Sequence, residues 1–158
     1  MTGIRCNFNM RAGIAGCIAD PNSEMGSFLH RFGNECKSNR AFVTAVIVLK
    51  RASELSPDDP DIMCDLGANL WNYGDYVSAL DVLFKSIRIR PFAIAHVNMG
   101  LVLASMKEYK NAEWHYKQSL RLNHDYLGAK WNLALLHLGM GNWEVGFEEY
   151  ECRINYRG

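Results

Sequence analysis

Residues 60–92, PDIMCDLGANLWNYGDYVSALDVLFKSIRIRPF, contain the pattern from which the architecture of this chain can be predicted. A large apolar residue and a tiny one, Leu66-Gly67, precede an aromatic residue, Tyr76. Apolar residues on either side of Gly74-Asp75 recur at spacings of three, four and seven, as expected for the buried faces of two amphipathic helices. Glycine and aspartate are typical turn residues, and Pro91 cannot continue a helix because it lacks an amide proton. The segment therefore predicts two antiparallel helices joined by a tight turn.

The same set of residues recurs every 33 or 34 positions along the chain. The aromatic residues are Phe42, Tyr76, Tyr109 and Trp143. The large and tiny pairs that precede them are Phe32-Gly33, Leu66-Gly67, Met99-Gly100 and Leu133-Ala134. The tiny residues that follow are Ala45, Ala79, Ala112 and Gly146, and the next large ones are Leu49, Leu83, Tyr116 and Tyr150. Because tiny residues let two helix axes approach closely, the repeat predicts an all-α solenoid of antiparallel helix pairs.

This register resembles the tetratricopeptide repeat family, most clearly in the second and third units. The resemblance implies a right-handed superhelix, and it covers residues 26–158 in four units: 26–59, 60–92, 93–126 and 127–158. Residues 1–25 lie outside the repeat and are expected to be a partly ordered lead-in, with Asp20-Pro21-Asn22-Ser23 as a turn before the first repeat helix.

The sequence lacks the motifs of the common enzyme classes. It has no glycine-rich phosphate loop and no Gly-x-Ser-x-Gly elbow. The five histidines lack metal-ligand spacing, and the five cysteines are scattered without a Cys-x-x-Cys pair, which favours reduced thiols over disulfides or zinc. His96 and His137 are expected to be hydrogen-bonded packing residues. We therefore predict a protein that is not an enzyme and that has no catalytic residues, no metal and no cofactor.

Charge is strongly segregated although the net charge is zero. Residues 52–84 carry seven acids and no Lys or Arg, and residues 131–152 carry four acids and no Lys or Arg. Residues 1–51 and 85–130 are predominantly basic. The alternating blocks could hold adjacent units together, or they could select a partner or pair with a second copy. Nucleic acid is excluded as a partner because the acidic blocks would repel phosphate.

The sequence also bears on the location of the protein. No apolar run is long enough to span a membrane, and the first residues lack the apolar core of a secretory signal. A cytoplasmic location without membrane association is therefore expected.

The family resemblance implies that the first helix of each unit lines a concave groove. The residues expected to point into the groove are Arg31, Asp65, Asn98 and Asn132. In relatives with glycosyltransferase domains, such asparagines grip the peptide backbone, which suits an amide that both donates and accepts hydrogen bonds. Here Arg31 and Asp65 replace the first two asparagines. Alternatively, Asn98 and Asn132 bond the neighbouring helix.

Five further residues are candidates for the lining of the groove: Asn34, Val97, Leu101, Trp131 and Leu135. The groove is expected to be polar at the first unit and apolar at the last two, with Trp131 as an exposed binding residue. Chaperone-binding relatives use a Lys/Arg/Asn clamp for a terminal carboxylate. His30 and Ile94 depart from that clamp, which argues against this particular activity.

The last unit has a further resemblance, carried by Gly146-Phe147 and Tyr150-Glu151 and completed by Arg153. It resembles the final repeat of bacterial and phage proteins in which a tetratricopeptide array precedes a sugar-transfer domain. Arg153 occupies a position that is small in the other units, and Glu144, Glu148 and Glu151 share one helix face. These features predict a polar final helix that caps the array.

Three functions follow as hypotheses. The leading one is a non-enzymatic scaffold that binds a peptide or a partner helix in the concave groove. The second is a structural protein that self-assembles into a homo-oligomer. The third is the recognition module of a glycosyltransferase system whose catalytic domain lies on another chain.

Overall fold

The computed structural model describes residues 21–151, and the side chains of residues 24–151. This part of the chain consists of α-helices joined by short turns. Their bounds are α1 Pro21–Ser38, α2 Phe42–Leu55, α3 Pro60–Tyr73, α4 Tyr76–Ile89, α5 Ala93–Ser105, α6 Tyr109–Leu122, α7 Leu127–Gly139 and α8 Trp143–Tyr150. The predicted all-α solenoid is confirmed.

The helices pack in two layers. Each odd-numbered helix contacts the even-numbered helix that follows it, which gives four pairs. The first helices also contact one another in order, α1 with α3, α3 with α5 and α5 with α7, whereas within residues 21–151 the second helices make no such contacts. The first helices are therefore more closely spaced than the second helices, which curves the array and places α1, α3, α5 and α7 on its concave side.

The tiny residues of the repeat lie where the two helices of a pair approach most closely. A Cβ atom added to Gly67 on α3 would lie 2.5 Å from Cγ of Leu83 on α4, and Gly100 on α5 meets the ring of Tyr116 on α6 in the same way. Leu83 and Tyr116 are both buried. In these two units, the large residue that follows the aromatic in the sequence is therefore the one that fills the space left by the tiny residue.

The turns within the pairs share one backbone conformation. Gly74 and Gly141 have φ angles of 93° and 82°, in the left-handed region that glycine adopts without a steric penalty. Arg40 and Lys107 stand at the equivalent positions of the other two units and have φ angles of 58° and 65°. The turn predicted from Gly74-Asp75 is therefore repeated in units that lack the glycine.

The first helix begins earlier than the sequence suggests. Pro21 is the first residue of α1, where its missing amide proton has no helical partner to lose. The turn predicted over Asp20-Pro21-Asn22-Ser23 is therefore wrong from Pro21 onwards. Residues 1–20 and Arg153 lie outside the described residues.

The last helix is less polar than predicted. Glu144 and Glu148 are exposed on α8 as expected, but Trp143 and Phe147 are 60% and 59% exposed, and their rings stack with centroids 6.4 Å apart. Trp143 and the 40% exposed Tyr109 also show that the recurrent aromatic residues are not uniformly core residues. Each of them is instead the first residue of a second helix.

No α-helix among residues 21–151 is both long and apolar enough to cross a bilayer.

Candidate binding groove

The concave surface brings most of the predicted site residues to one side of the molecule. Arg31 and Leu135 are exposed, and the half-buried members of the set are Asn34, Asp65, Asn98, Leu101, Trp131 and Asn132. Val97 is only 5% exposed and packs in the core with Leu133. It has almost no surface to offer to a ligand.

At the first unit, polar side chains of the groove bond one another. His30 Nε2 lies 2.7 Å from Oδ2 of Asp65, and Asn34 Nδ2 donates to the same oxygen at 2.9 Å. The hydrogen bond to Asp65 raises the pKa of His30 against the opposing effect of burial. Burial acts to raise the pKa of Asp65, but the hydrogen bonds from His30 and Asn34 outweigh it and lower that pKa. Asp65 therefore ties α1 to α3.

At the middle of the groove, two side-chain contacts join α3 to α5. Asn98 Nδ2 donates to Sγ of Cys64 at 3.2 Å, and Trp71 Nε1 donates to Oγ of Ser105 at 2.8 Å. Burial raises the pKa of the Cys64 thiol to about 12, with the Asn98 contact opposing it, so the thiol is protonated at neutral pH. For Asn98, the alternative of a bond to the neighbouring helix is the one observed.

Between α5 and α7 the groove opens into a pocket of about 220 Å³. The pocket is lined by Leu101, Ala104, Tyr109, Tyr116, Asn132, Leu135, Leu136 and Gly139. Three of these residues, Leu101, Asn132 and Leu135, were predicted from the sequence. Asn132 Nδ2 donates to the carbonyl of Gly128 on its own helix at 2.7 Å. Within residues 21–151, no hydrogen bond to the Oδ1 atom of Asn132 is present, so this part of the chain leaves the acceptor of a pocket-lining residue available.

Trp131 does not lie in this pocket. Its ring centroid is 4.9 Å from that of Tyr150 on α8, with the planes inclined at 36°. The expectation of an exposed binding tryptophan is therefore not met, because Trp131 packs α7 against α8. Sequence reasoning also missed Tyr109 and Gly139. The glycine near the end of α7 is the visible clue, since an added Cβ there would meet no atom within 4 Å.

The buried histidines have hydrogen-bonding partners, as predicted. His137 Nδ1 lies 2.7 Å from Oε2 of Glu149, and His96 Nδ1 lies 3.1 Å from Nδ1 of His115. Among residues 21–151, no group of three or more His, Cys, Asp or Glu side chains is arranged to hold a metal ion.

Among residues 24–151, most ion pairs of Lys and Arg lie within one unit rather than between successive units. The pairs Arg51–Glu54, Lys85–Asp81 and Lys117–Glu113 each lie on a single helix, and Arg90–Asp61 joins α4 to α3 of the same unit. Between units, His30 contacts Asp65, His137 contacts Glu113, and Lys130 contacts Asp125. Self-assembly through the charged blocks stays a prediction.

Curated proteins that resemble the chain are much longer. No protein-family model matches the sequence. The chain is 26% identical over 121 residues to the BBSome complex member BBS4 of Mus musculus, and 30% identical over 87 residues to the peroxisomal targeting signal receptor of Candida albicans. These matches cover 74% and 54% of this chain but only 23% and 15% of the two relatives. The chain therefore spans less than a quarter of either relative.

Several solved structures share the architecture. A crystal structure of MamA matches with a TM-score of 0.72 and 22% identity, covering 87% of this chain and 80% of that one. The first TPR of Spaghetti (RPAP3) bound to the HSP90 peptide SRMEEVD matches with a TM-score of 0.70 and 13% identity, covering 75% and 95% of the two chains. An O-GlcNAc transferase of Thermobaculum terrenum matches with a TM-score of 0.72 and 20% identity, covering 76% of this chain and 23% of that one. The helix pairs, their register of 33 or 34 residues and these likenesses show that the chain is a protein of the tetratricopeptide repeat fold.

Proposed function

We propose that this chain is a non-enzymatic protein-interaction module. It binds an extended peptide or a partner helix along the concave groove, and one large apolar side chain of the partner enters the pocket between α5 and α7. The pocket is the observation that supports this proposal, because it combines apolar walls with an available hydrogen-bond acceptor on Asn132. Small sites that bind specifically are typically apolar with a few polar groups that set orientation.

The two halves of the groove differ in what they offer a partner. In the first half, His30, Asn34 and Asp65 already bond one another, so a ligand that displaced these bonds would leave polar groups to be satisfied again. In the second half, Leu135 is 43% exposed. Burying this apolar surface on binding is favourable without breaking an existing hydrogen bond. The second half is therefore the better site for the main contact.

The occupant that fits best presents an apolar side chain rather than a terminal carboxylate. His30 stands in place of the clamp lysine of chaperone-binding relatives, and it is bonded to Asp65. The HSP90 peptide bound to Spaghetti (RPAP3) supports peptide binding by this fold in general. The groove belongs to the four-unit array of residues 26–158, which we propose as the interaction domain.

Selection from a random peptide display library tests this proposal directly. We expect peptides recovered on the wild-type chain to share one Leu, Ile, Met or Phe residue. The variant Gly139→Leu should bind them more weakly, because an added side chain at Gly139 meets open space within the pocket. A matched control is Val77→Ala on α4, which alters an exposed apolar residue outside the pocket.

Circular dichroism first verifies that Gly139→Leu and Val77→Ala are folded, so that a difference in affinity reports on binding. Fluorescence anisotropy of a labelled selected peptide measures the affinity. Equal affinity of wild type and Gly139→Leu would remove the pocket from the proposed site. Recovery of no binding peptide from the library would argue against the peptide-binding proposal as a whole.

A further inference from the structure

Two histidines on adjacent helices of the third unit face each other through the same type of ring nitrogen. His96 on α5 and His115 on α6 have their Nδ1 atoms 3.1 Å apart and their ring centroids 5.3 Å apart. His96 is only 7% exposed, and His115 is half-buried. The pair lies outside the pocket described above.

The repeat shows that packing alone does not require histidine at these two positions. At the same register, the first unit has Leu29 with Val48, and the second unit has Met63 with Val82. The fourth unit has Lys130 with Glu149. In the other three units, apolar or oppositely charged residues occupy these two positions. The third unit has two imidazoles there instead.

The separation of the two nitrogens suits two ligands of one metal ion. Imidazole nitrogens bind zinc at roughly 2.0–2.1 Å. For angles at the metal between square-planar and tetrahedral, two such bonds place the nitrogens roughly 2.8–3.4 Å apart. The Nδ1 atoms of His96 and His115 lie within this range without any movement of the helices.

The protonation state of the pair also suits a ligand role. Burial lowers the pKa of His96, and burial together with the neighbouring His96 lowers the pKa of His115 to about 4. Both rings are therefore neutral at pH 7, which is the form that binds metals. In the absence of metal, one Nδ1 carries the shared proton. Metal binding shifts that ring to its Nε2–H tautomer, so both imidazoles stay neutral and no net proton is released.

We propose that His96 and His115 form a binding site for one divalent transition-metal ion of the kind that prefers imidazole, such as Ni²⁺, Cu²⁺ or Zn²⁺. The protein contributes two ligands, and water occupies the remaining coordination positions. Water can approach from the side of His115, which is only half-buried and lies beside the 54% exposed Trp114. A bound ion links α5 to α6 and so stabilises the unit that contributes Leu101 and Tyr109 to the pocket.

The fluorescence of Trp114 can report metal binding to the two histidines. Its ring centroid lies 4.8 Å from that of His115 and 6.2 Å from that of His96, so a paramagnetic ion on the pair should quench its fluorescence. We would titrate the full chain with Ni²⁺ at pH 7.5, since Ni²⁺ does not oxidise thiols as Cu²⁺ does. We expect saturable quenching at one equivalent that is lost in Trp114→Phe, reversed by competing Zn²⁺ and accompanied by a higher Tm.

The repeat supplies the matched variant. The double change His96→Met and His115→Val installs the residues that the second unit carries at this register, and it should fold while losing saturable quenching. His115→Gln should weaken binding as well, even if the double variant fails to fold. His124→Gln alters an exposed histidine on the following loop and should leave binding unchanged.

The exposed histidine separates this site from ordinary surface binding, because His124 is exposed whereas His96 is only 7% exposed. Unsaturable quenching in the wild type, or unchanged binding in the folded double variant, would overturn the proposal.

Discussion

The Nε2 atom of His30 on α1 lies 2.7 Å from Oδ2 of Asp65 on α3, so a hydrogen-bonded pair joins the first two helix pairs. The bond raises the pKa of His30 above its usual value of 6.5. A group with a raised pKa in the folded state contributes stability that is fully present below its unfolded pKa and is lost as the pH rises through the folded value.

We therefore expect the free energy of unfolding to fall as the pH rises above 6.5, because His30 then loses its proton. The variant His30→Gln should lose this part of the pH dependence while it keeps a hydrogen-bond donor towards Asp65. Urea unfolding at pH 6.5 and at pH 8.5 measures the difference. An equal change with pH in wild type and variant would show that His30 does not carry it.

The pair of His96 and His115 predicts the opposite change of stability with pH. The pKa values of His96 and His115 lie below 6.5 in the folded state, that of His115 at about 4, so unfolding takes up protons as the pH falls from 6.5. The double variant His96→Met and His115→Val should therefore resist acid better than the wild type. Thermal unfolding in metal-free buffer at pH 7 and pH 5 tests this, and a larger loss of Tm in the variant would contradict it.

The turns lead to a prediction that compares equivalent units. Lys107 has a φ angle of 65° at the position where Gly74 and Gly141 stand in other units. A side chain in this conformation is strained, so Lys107→Gly should raise the free energy of unfolding by about 0.5–1 kcal/mol. Lys110→Gly, at an exposed helical position of α6, is the matched control. Because Lys110 is the second residue of α6, this variant should lower stability by at most the roughly 0.5–1 kcal/mol that glycine costs in a helix interior. Urea unfolding measures both variants.

The repeat register accounts for what the sequence could and could not predict. It predicted the helix pairs and the close approach of helix axes at tiny residues such as Gly67, because those features depend on residue size at fixed spacing. It could not predict that the ring of Trp131 packs against that of Tyr150, or that Asp65 bonds His30. Both contacts depend on side-chain conformations and on partners from another helix. Replacing Trp131 or Asn98 with alanine would therefore be a poor test of binding, because each change removes a contact within the fold.

The core of the second unit contains a polar residue whose cost can be measured. Asn69 is fully buried. Its Nδ2 atom donates to the carbonyl of Asp65 at 2.8 Å, but among the described residues its Oδ1 atom has no hydrogen-bond partner. A buried polar atom without a partner costs about 1–3 kcal/mol. At the same register the third unit has Val102, which is fully buried in the core.

Replacing the amide with the residue of the third unit should remove that cost. We expect Asn69→Val to raise the free energy of unfolding by about 1–2 kcal/mol, because an apolar residue of similar size leaves no unpaired acceptor. Asn69→Asp is the informative contrast: it keeps the shape but introduces a buried charge, so it should destabilise the protein strongly. Urea unfolding of the two variants beside the wild type decides the matter. A loss of stability in Asn69→Val would mean that the bond from Nδ2 to Asp65 is worth more than the unpaired oxygen costs.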